Sequence, residues 1–350
     1  IHMATIQASE SVKTRIGAVA VDEGIRHGRL TIYPVRERVA SDEHRLSYAT
    51  LEDALRAGQV EVLELPGASV PGLRLRSVSA APVLVLDGEE VIGGLQNRIA
   101  NASYLVGQGE VTLPVSCVEQ GRWSYQHEFR SGEAMMARMR YAKHFSVTDS
   151  LRAGGRHTSD QGVVWDMVQE KLVSEGVSSP TSSLHDVYAA KAAVVHDYAE
   201  SLTYPEGAVG FVAAIGDTIV GAEIFDQAGT AKALWPRLMR SFAADALDPR
   251  ERDAAEAPAR DKAQGLLDEA AHAGKVEVFA SAAMGEDVRL GDAALHGNAL
   301  VYEGTPVHIS VFRMDPPTSG SMWQARRARQ WAEPHELNVE AENELDSADA

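Results

Sequence analysis

Residues 84–98, "LVLDGEEVIGGLQNR", decide how the rest of the chain is read. An apolar run reaches Leu86, Asp87-Gly88 is a strong tight-turn signal, and Glu89-Glu90-Val91-Ile92 resumes an extended pattern. The stretch therefore predicts a β-hairpin. Its second strand carries on into Gln96, Asn97 and Arg98, where a core strand would stay apolar. In extended backbone Gln96 and Arg98 share one face and Asn97 takes the other.

Outward from this hairpin, Leu73 and Leu75 alternate with Arg74 and Arg76, and "EVTLPVSCVE" (110–119) puts Val111, Leu113, Val115 and Cys117 on one face. Residues 73–123 thus read as continuous β structure. Before them come a strand at "LTIYPV" (30–35), a short helix opened by Thr50-Leu-Glu-Asp53 and stopped by Gly58, and a strand at "VEVLEL" (60–65). From 126 to 203 the pattern is helical, with Ser159 as an N-cap and Ser183-Leu-His-Asp186 as a capping box for a helix running to Leu202. Strands return at 208–225 and 299–312, around helices at 230–246 and 256–272, and Pro236 is expected to kink the first of these or begin a new one.

Three stretches share one shape: "VLVLDGEEVIGG", "FVAAIGDTIVGAEIF" and "ALVYEGTPVHISVF". Each is an apolar strand, an acid beside a glycine, and a second strand; the pattern is open to coincidence or to a true repeat. The expected fold class is α+β: a β-hairpin-rich body, either a partly open barrel or a sandwich, with inserted helices. Its expected parts are an irregular N-terminal arm (1–28), a β-rich part (29–125), a helical insertion (126–205), an α+β part completing the same body (206–315) and an acidic C-terminal extension (316–350).

The chain has 33 Lys and Arg against 50 Asp and Glu, a net charge of −17. Seven acids and no Lys or Arg fall in 332–350, so the rest still carries −10, a charge that opposes phosphate backbones. Nucleic acid is not an expected partner. No apolar run approaches the roughly 20 residues of a membrane span, so a membrane is not one either. One cysteine, Cys117, allows no internal disulfide. With no signal-peptide pattern at the start, the expected location is the cytoplasm.

The run from Leu84 to Trp123, ending "PVSCVEQGRW", resembles the ARG and Rhodanese-Phosphatase-superfamily-associated domain, a bacterial family of unknown function. The pieces "LTIYPV", "SYATLEDAL", "GRHTSDQGVVW", "LWPRLMRSFAADAL" and "VYEGTPVHISVF" are similar to it in the same order, over roughly 28–313. The resemblance implies a role near ADP-ribose or phosphorylated metabolites and brings no established catalytic set.

Three clusters carry candidate chemistry. Arg98 is of the type that holds a carboxylate or phosphate through paired N–H groups, with Gln96 and Asn97 beside it for amides or hydroxyls. Equally, Arg98 could pair with Glu89 or Glu90 across the hairpin. In "CVEQGRW", Arg122 is the candidate anion ligand, Trp123 the stacking ring and Glu119 the general base, against the plain reading that Glu119 and Arg122 pair. Cys117, on the apolar face, reads as a buried small hydrophobe. In "AGGRHTSDQ" (153–161), Arg156 is an outer ligand candidate and His157 an acid or base. Asp160 in the first helical turn already complements the dipole and argues against phosphate there.

No GxGxxG, GxxxxGK[ST], GxSxG, HExxH or CxxC is present, and the 12 histidines are scattered. The cofactor is therefore unknown; a carboxylate-held Mg²⁺ needs no tight spacing and stays open. The expected partner is a small phosphorylated metabolite, with a protein partner through the C-terminal extension as a second possibility. The residues leave open whether the chain is an enzyme or a scaffold.

Overall fold

A computed structural model describes residues 2–39, 46–67, 69–249, 256–291 and 295–313. The elements begin with α1 (His2–Gly17), β1 (Val19–Val21), β2 (Ile25–His27), β3 (Leu30–Glu37), β4 (Ala49–Thr50), α2 (Leu51–Arg56), β5 (Val60–Glu64) and β6 (Gly72–Ser77). Then come β7 (Val83–Val85), β8 (Glu89–Ile92), β9 (Arg98–Ala100), β10 (Tyr104–Val106), β11 (Gly109–Cys117) and β12 (Arg130–Ala134). Four helices follow: α3 (Ala137–Arg152), α4 (Gln161–Ser174), α5 (Leu184–Ala190) and α6 (Ala192–Ser201). The last elements are β13 (Gly210–Ile215), β14 (Thr218–Phe225), α7 (Ala228–Ala246), α8 (Arg260–Ala271), β15 (Lys275–Ala280), β16 (Glu286–Gly291), β17 (Leu295–Tyr302) and β18 (Thr305–Arg313).

The strands form three sheets. Nine join in the order β1-β3-β13-β14-β18-β17-β16-β15, with β2 also on β3. Six join as β12-β8-β9-β11-β6-β5, and three as β10-β7-β4. The fold is α+β and β-rich, and one sheet curls into a half-barrel. All strand pairs are antiparallel except β4 with β7.

Alternation sets the layers. On one face of the nine-stranded sheet Val212, Ala222, Ile224, Val288, Ala299, Ile309 and Val311 form a core with Ala8, Val12 and Ile16 of α1 and Ala263, Leu266, Leu267 and Ala270 of α8. Those helical residues recur every three or four positions, the stripe a sheet-covering helix needs. The six-stranded sheet has its own core, including Val62, Leu73, Leu75, Val91, Ala100, Leu113 and Val115. The other face of the large sheet is also buried, yet polar: registers place Arg289, Asn298, Ser310 and Glu223 in one row across β16, β17, β18 and β14. All four are buried.

Several expectations are corrected. Asp87-Gly88 is not a hairpin: β7 pairs with β10 and β4, whereas β8 pairs with β9 and β12, so the chain turns a corner between sheets there. The other two stretches of that shape are true hairpins, β13–β14 and β17–β18, so the sequence likeness is not repeated in space. Residues 2–17 are helical rather than an irregular arm. A strand, β12, lies inside the span expected to be helical. Asp160, not Ser159, caps α4 by accepting the Val163 N–H, and the Ser159 hydroxyl turns to Ser116. Ser183 caps α5 without a side-chain bond, because its hydroxyl takes a bond from Asn97, and the expected long helix breaks at Lys191 into α5 and α6. Pro236 sits inside a single helix, α7. The Thr50 cap is as expected, accepting from the Asp53 N–H at 3.2 Å, and Gly58 follows α2 with φ +65°. The extension 316–350 lies outside the described residues.

Candidate functional site

The turn from β8 to β9 is made by Gly93 (φ +130°) and Gly94 (φ +51°), conformations that side chains rarely tolerate. A Cβ on Gly94 would meet the Phe129 ring and come 2.6 Å from Glu64 Oε1. The Asn97 Oδ1 accepts the Gly93 N–H at 3.1 Å, closing the turn. Gln96 and Asn97 therefore lie in this turn rather than on a strand, and Arg98 opens β9 opposite Val91 and Cys117.

The chain leaving β11 straps this turn down. Arg122 donates to the carbonyls of Gly94 (2.6 Å), Gly93 (3.1 Å) and Ser124 (2.9 Å), to Asn97 Oδ1 (3.1 Å) and to Glu119 Oε2 (2.6 Å). Glu119 Oε2 also accepts the Asn97 N–H at 3.0 Å, and its Oε1 accepts the Thr181 hydroxyl at 2.9 Å. Burial pushes the Glu119 carboxyl up, but Arg122, the Asn97 N–H and Thr181 outweigh it and hold the group below the usual carboxylate range. With both oxygens committed, Glu119 is a strut rather than a free base, and Arg122 is its partner rather than an anion ligand.

Arg98 is different. It is 0% exposed, its Nε donates to the Val70 carbonyl at 3.3 Å and its Nη1 to the Asn97 carbonyl at 3.5 Å. Among the described residues Nη2 has no hydrogen-bond partner. The expected pairing with Glu89 or Glu90 is absent: Glu89 is bound by Arg237 of α7, and Glu90 by the Glu133 N–H and His185. Burial therefore dominates and lowers the Arg98 pKa. The Trp123 ring lies over the guanidinium, 5.9 Å from its carbon to the ring centroid, and is half exposed. Gln96 donates to the Glu119 carbonyl at 2.9 Å and is buried, yet its Oε1 lacks a partner among the described residues. Glu64 Oε2 and Arg122 Nε are likewise unsatisfied. Buried polar atoms without partners cost about 1–3 kcal/mol each, and four of those among the described residues lie around this turn.

Cys117 is buried, its thiol pKa is raised by burial, and Gln161 grips its backbone N–H and C=O at 2.8 Å each. Arg156 is exposed and contributes no side chain to the turn. His157 lies elsewhere, with Nε2 2.7 Å from Asp287 Oδ2 on the large sheet.

That pairing belongs to a second polar cluster, which the sequence reading missed. Asp287 also binds Arg289, whose Nη1 is 3.1 Å from His144 Nδ1. Glu223 is 2.6 Å from Arg140 Nη1 and 2.9 Å from His308 Nε2, while His308 Nδ1 is 2.8 Å from Ser103 Oγ. Asp87 joins Arg140 and Lys143. Burial raises the Glu223 carboxyl, but Arg140 and His308 bring it down to about 2; burial lowers Lys143 to about 8. Three carboxylates face Arg140, Lys143 and Arg289 and the imidazoles of His144, His157 and His308, with every member buried, which makes this cluster a joint between the large sheet, α3 and the corner at Asp87. A signal was present: Glu223, His308 and Ser310 stand at alternate places in otherwise apolar strands.

Among the described residues no group of three His, Cys, Asp or Glu is arranged to hold a metal, and no helix is long and apolar enough to cross a membrane. The sequence model of the ARG and Rhodanese-Phosphatase-superfamily-associated Protein domain matches residues 18–312. No curated protein and no solved structure matches the chain.

Proposed function

The chain belongs to the ARG and Rhodanese-Phosphatase-superfamily-associated Protein domain family, and on that premise we propose that it binds a small anionic, ring-bearing metabolite, of the nucleotide or ADP-ribose class, at Arg98. The observation that carries this reading is the Arg98 guanidinium, fully buried with an unsatisfied Nη2 and no carboxylate bound to it. A buried cation is expensive unless an anion completes it. A phosphate or carboxylate oxygen supplies the missing acceptor, charge-assisted on both sides. The half-exposed Trp123 above it supplies a flat surface for a ring, and Gln96 Oε1 an acceptor for a ligand hydroxyl or amine.

Glu119 and Arg122 serve the ligand indirectly. They position the turn, and the ligand contacts pass to Arg98, Gln96 and Trp123. The test is a thermal-shift panel of AMP, ADP-ribose, ribose 5-phosphate and inorganic phosphate on wild type and Arg98→Lys. A ligand at 100 times its Kd adds about 2.7 kcal/mol of stability. The reading expects a shift with a ring-bearing phosphate, reduced in Arg98→Lys, which keeps the charge but loses the planar fork.

The closed Glu119–Arg122 pair favours a second reading, a non-enzymatic scaffold or regulatory subunit whose polar cluster is structural and whose partner is a protein. A flat panel on a folded protein would select it.

A further inference from the structure

At the junction of β8, β12 and α5 a buried carboxylate backs a solvent-reaching imidazole. Glu90 is 1% exposed at its side chain; its Oε2 accepts the Glu133 N–H at 3.3 Å and lies 3.4 Å from His185 Nδ1. Its Oε1 has no partner among the described residues. The His185 side chain is 33% exposed. A carboxylate on Nδ1 fixes the tautomer with the proton on that nitrogen, which leaves the Nε2 lone pair free.

The geometry points to a second functional site, in which Glu90 orients His185 and His185 acts as a general base on water attacking an activated ester. The charges around the ring favour a base over an anion ligand. Glu133 of β12 and Asp186 of α5 add to Glu90 in favouring the imidazolium, and all of these raise the His185 pKa, with the Glu90 hydrogen bond as the largest cause. Glu133 is itself bound by Arg240 of α7, at 2.8 Å and 3.1 Å. In α4, packed on α5, Lys171 pairs with Glu175, which also meets Lys191 at the end of α5. Three acids around one imidazole repel an anionic substrate group but stabilise the cation formed when a neutral O–H gives up its proton. In the step, the water O–H bond breaks and its proton goes to Nε2. The bonding pair stays on the water oxygen, which bonds to the ester carbonyl carbon as the carbonyl π pair moves to its oxygen; that pair then returns, the acyl C–O bond to the alkoxide or phenolate breaks, and the leaving oxygen takes the bonding pair. The 3.4 Å separation is long for a hydrogen bond and lies within the range that apo acid–base pairs show.

The site stands apart from the Arg98 reading, since Glu90 and Arg98 lie at consecutive register positions and so on opposite faces: Glu90 is opposite Ile99, and Arg98 opposite Val91. The test is the pH–rate profile of p-nitrophenyl acetate hydrolysis by wild type, His185→Gln and Glu90→Gln, with the His185 ring titrated by NMR in wild type and Glu90→Gln. The expected result is a protein-dependent rate that rises with pH through the His185 midpoint, is lost in His185→Gln, and persists in Glu90→Gln with a lower midpoint. Equal rates in wild type and His185→Gln would overturn the proposal, as would a midpoint unmoved by Glu90→Gln. Neither result touches the ligand panel at Arg98, so the two ideas fail separately.

Discussion

Glu119 Oε2 and Arg122 Nη2 are 2.6 Å apart, and both side chains are more than nine-tenths buried. The residues that the sequence offered as general base and anion ligand thus bind each other, holding the Gly93–Asn97 turn against the end of β11.

Removing one end of that strut leaves the other buried and unpaired, so Glu119→Gln should cost about 3 kcal/mol in urea unfolding. Its folded-state pKa lies below the unfolded one, so the carboxylate's contribution is present above the unfolded value, near pH 4.3, and fades as pH falls through the folded value. Stability of Glu119→Gln should accordingly fall less than wild type between pH 5 and 3. Parallel curves would contradict the strut.

Gly94 tests the turn itself. With φ +51° and the Phe129 ring and Glu64 Oε1 in the way of a Cβ, Gly94→Ala should destabilise by about 2 kcal/mol or more. It should also weaken ligand binding at Arg98, because the turn carries Gln96 and leads into β9. Normal stability and affinity, by denaturation and calorimetry, would show that the turn does not position the site.

The central joint makes an acid-side prediction. Glu223, held at about 2, contributes stability above its unfolded pKa and loses it as pH falls toward 2. Glu223→Gln leaves Arg140 without its closest carboxylate and should cost about 3–5 kcal/mol at neutral pH, with a correspondingly smaller further loss in acid.

Lys143 makes the opposite, alkaline prediction. Its folded pKa, about 8, lies below the ordinary lysine value, so between pH 8 and about 10 the unfolded chain holds a proton that the folded chain has released. Stability therefore rises across that window from this group. The difference between wild type and Lys143→Met, measured by urea titration, should grow with pH there; a constant difference would refute the lowered value.

Much of this was legible in local pattern. The strands at 30–35, 60–65, 208–225 and 299–312 and the Thr50 cap follow from alternation and capping chemistry. The polar residues from Gln96 to Trp123 do gather at one place. What sequence pattern could not supply is pairing over distance. Asp87-Gly88 carries the same local signal as the turns at Gly216-Asp217 and Glu303-Gly304, and only the partner strand β10, beyond the turn, makes it a corner. Arg237, 148 residues from Glu89, takes the acid that Arg98 seemed placed to pair with, and that leaves Arg98 unpaired. The joint of Arg140, Lys143, Glu223 and His308 is assembled from α3, β14 and β18, and its clue lay in polar residues at alternate strand positions.

The central claim is that Arg98 is kept for a ligand rather than for the fold. The most direct measurement is Arg98→Met, with stability by urea unfolding and binding of AMP and inorganic phosphate by calorimetry. Methionine fills much of the arginine stem without its charge, so relief of an uncompensated buried cation predicts stability unchanged or raised by about 1 kcal/mol, with anion binding lost. A loss of 3 kcal/mol or more, with anion affinity absent in wild type too, would make Arg98 a structural residue and contradict the account.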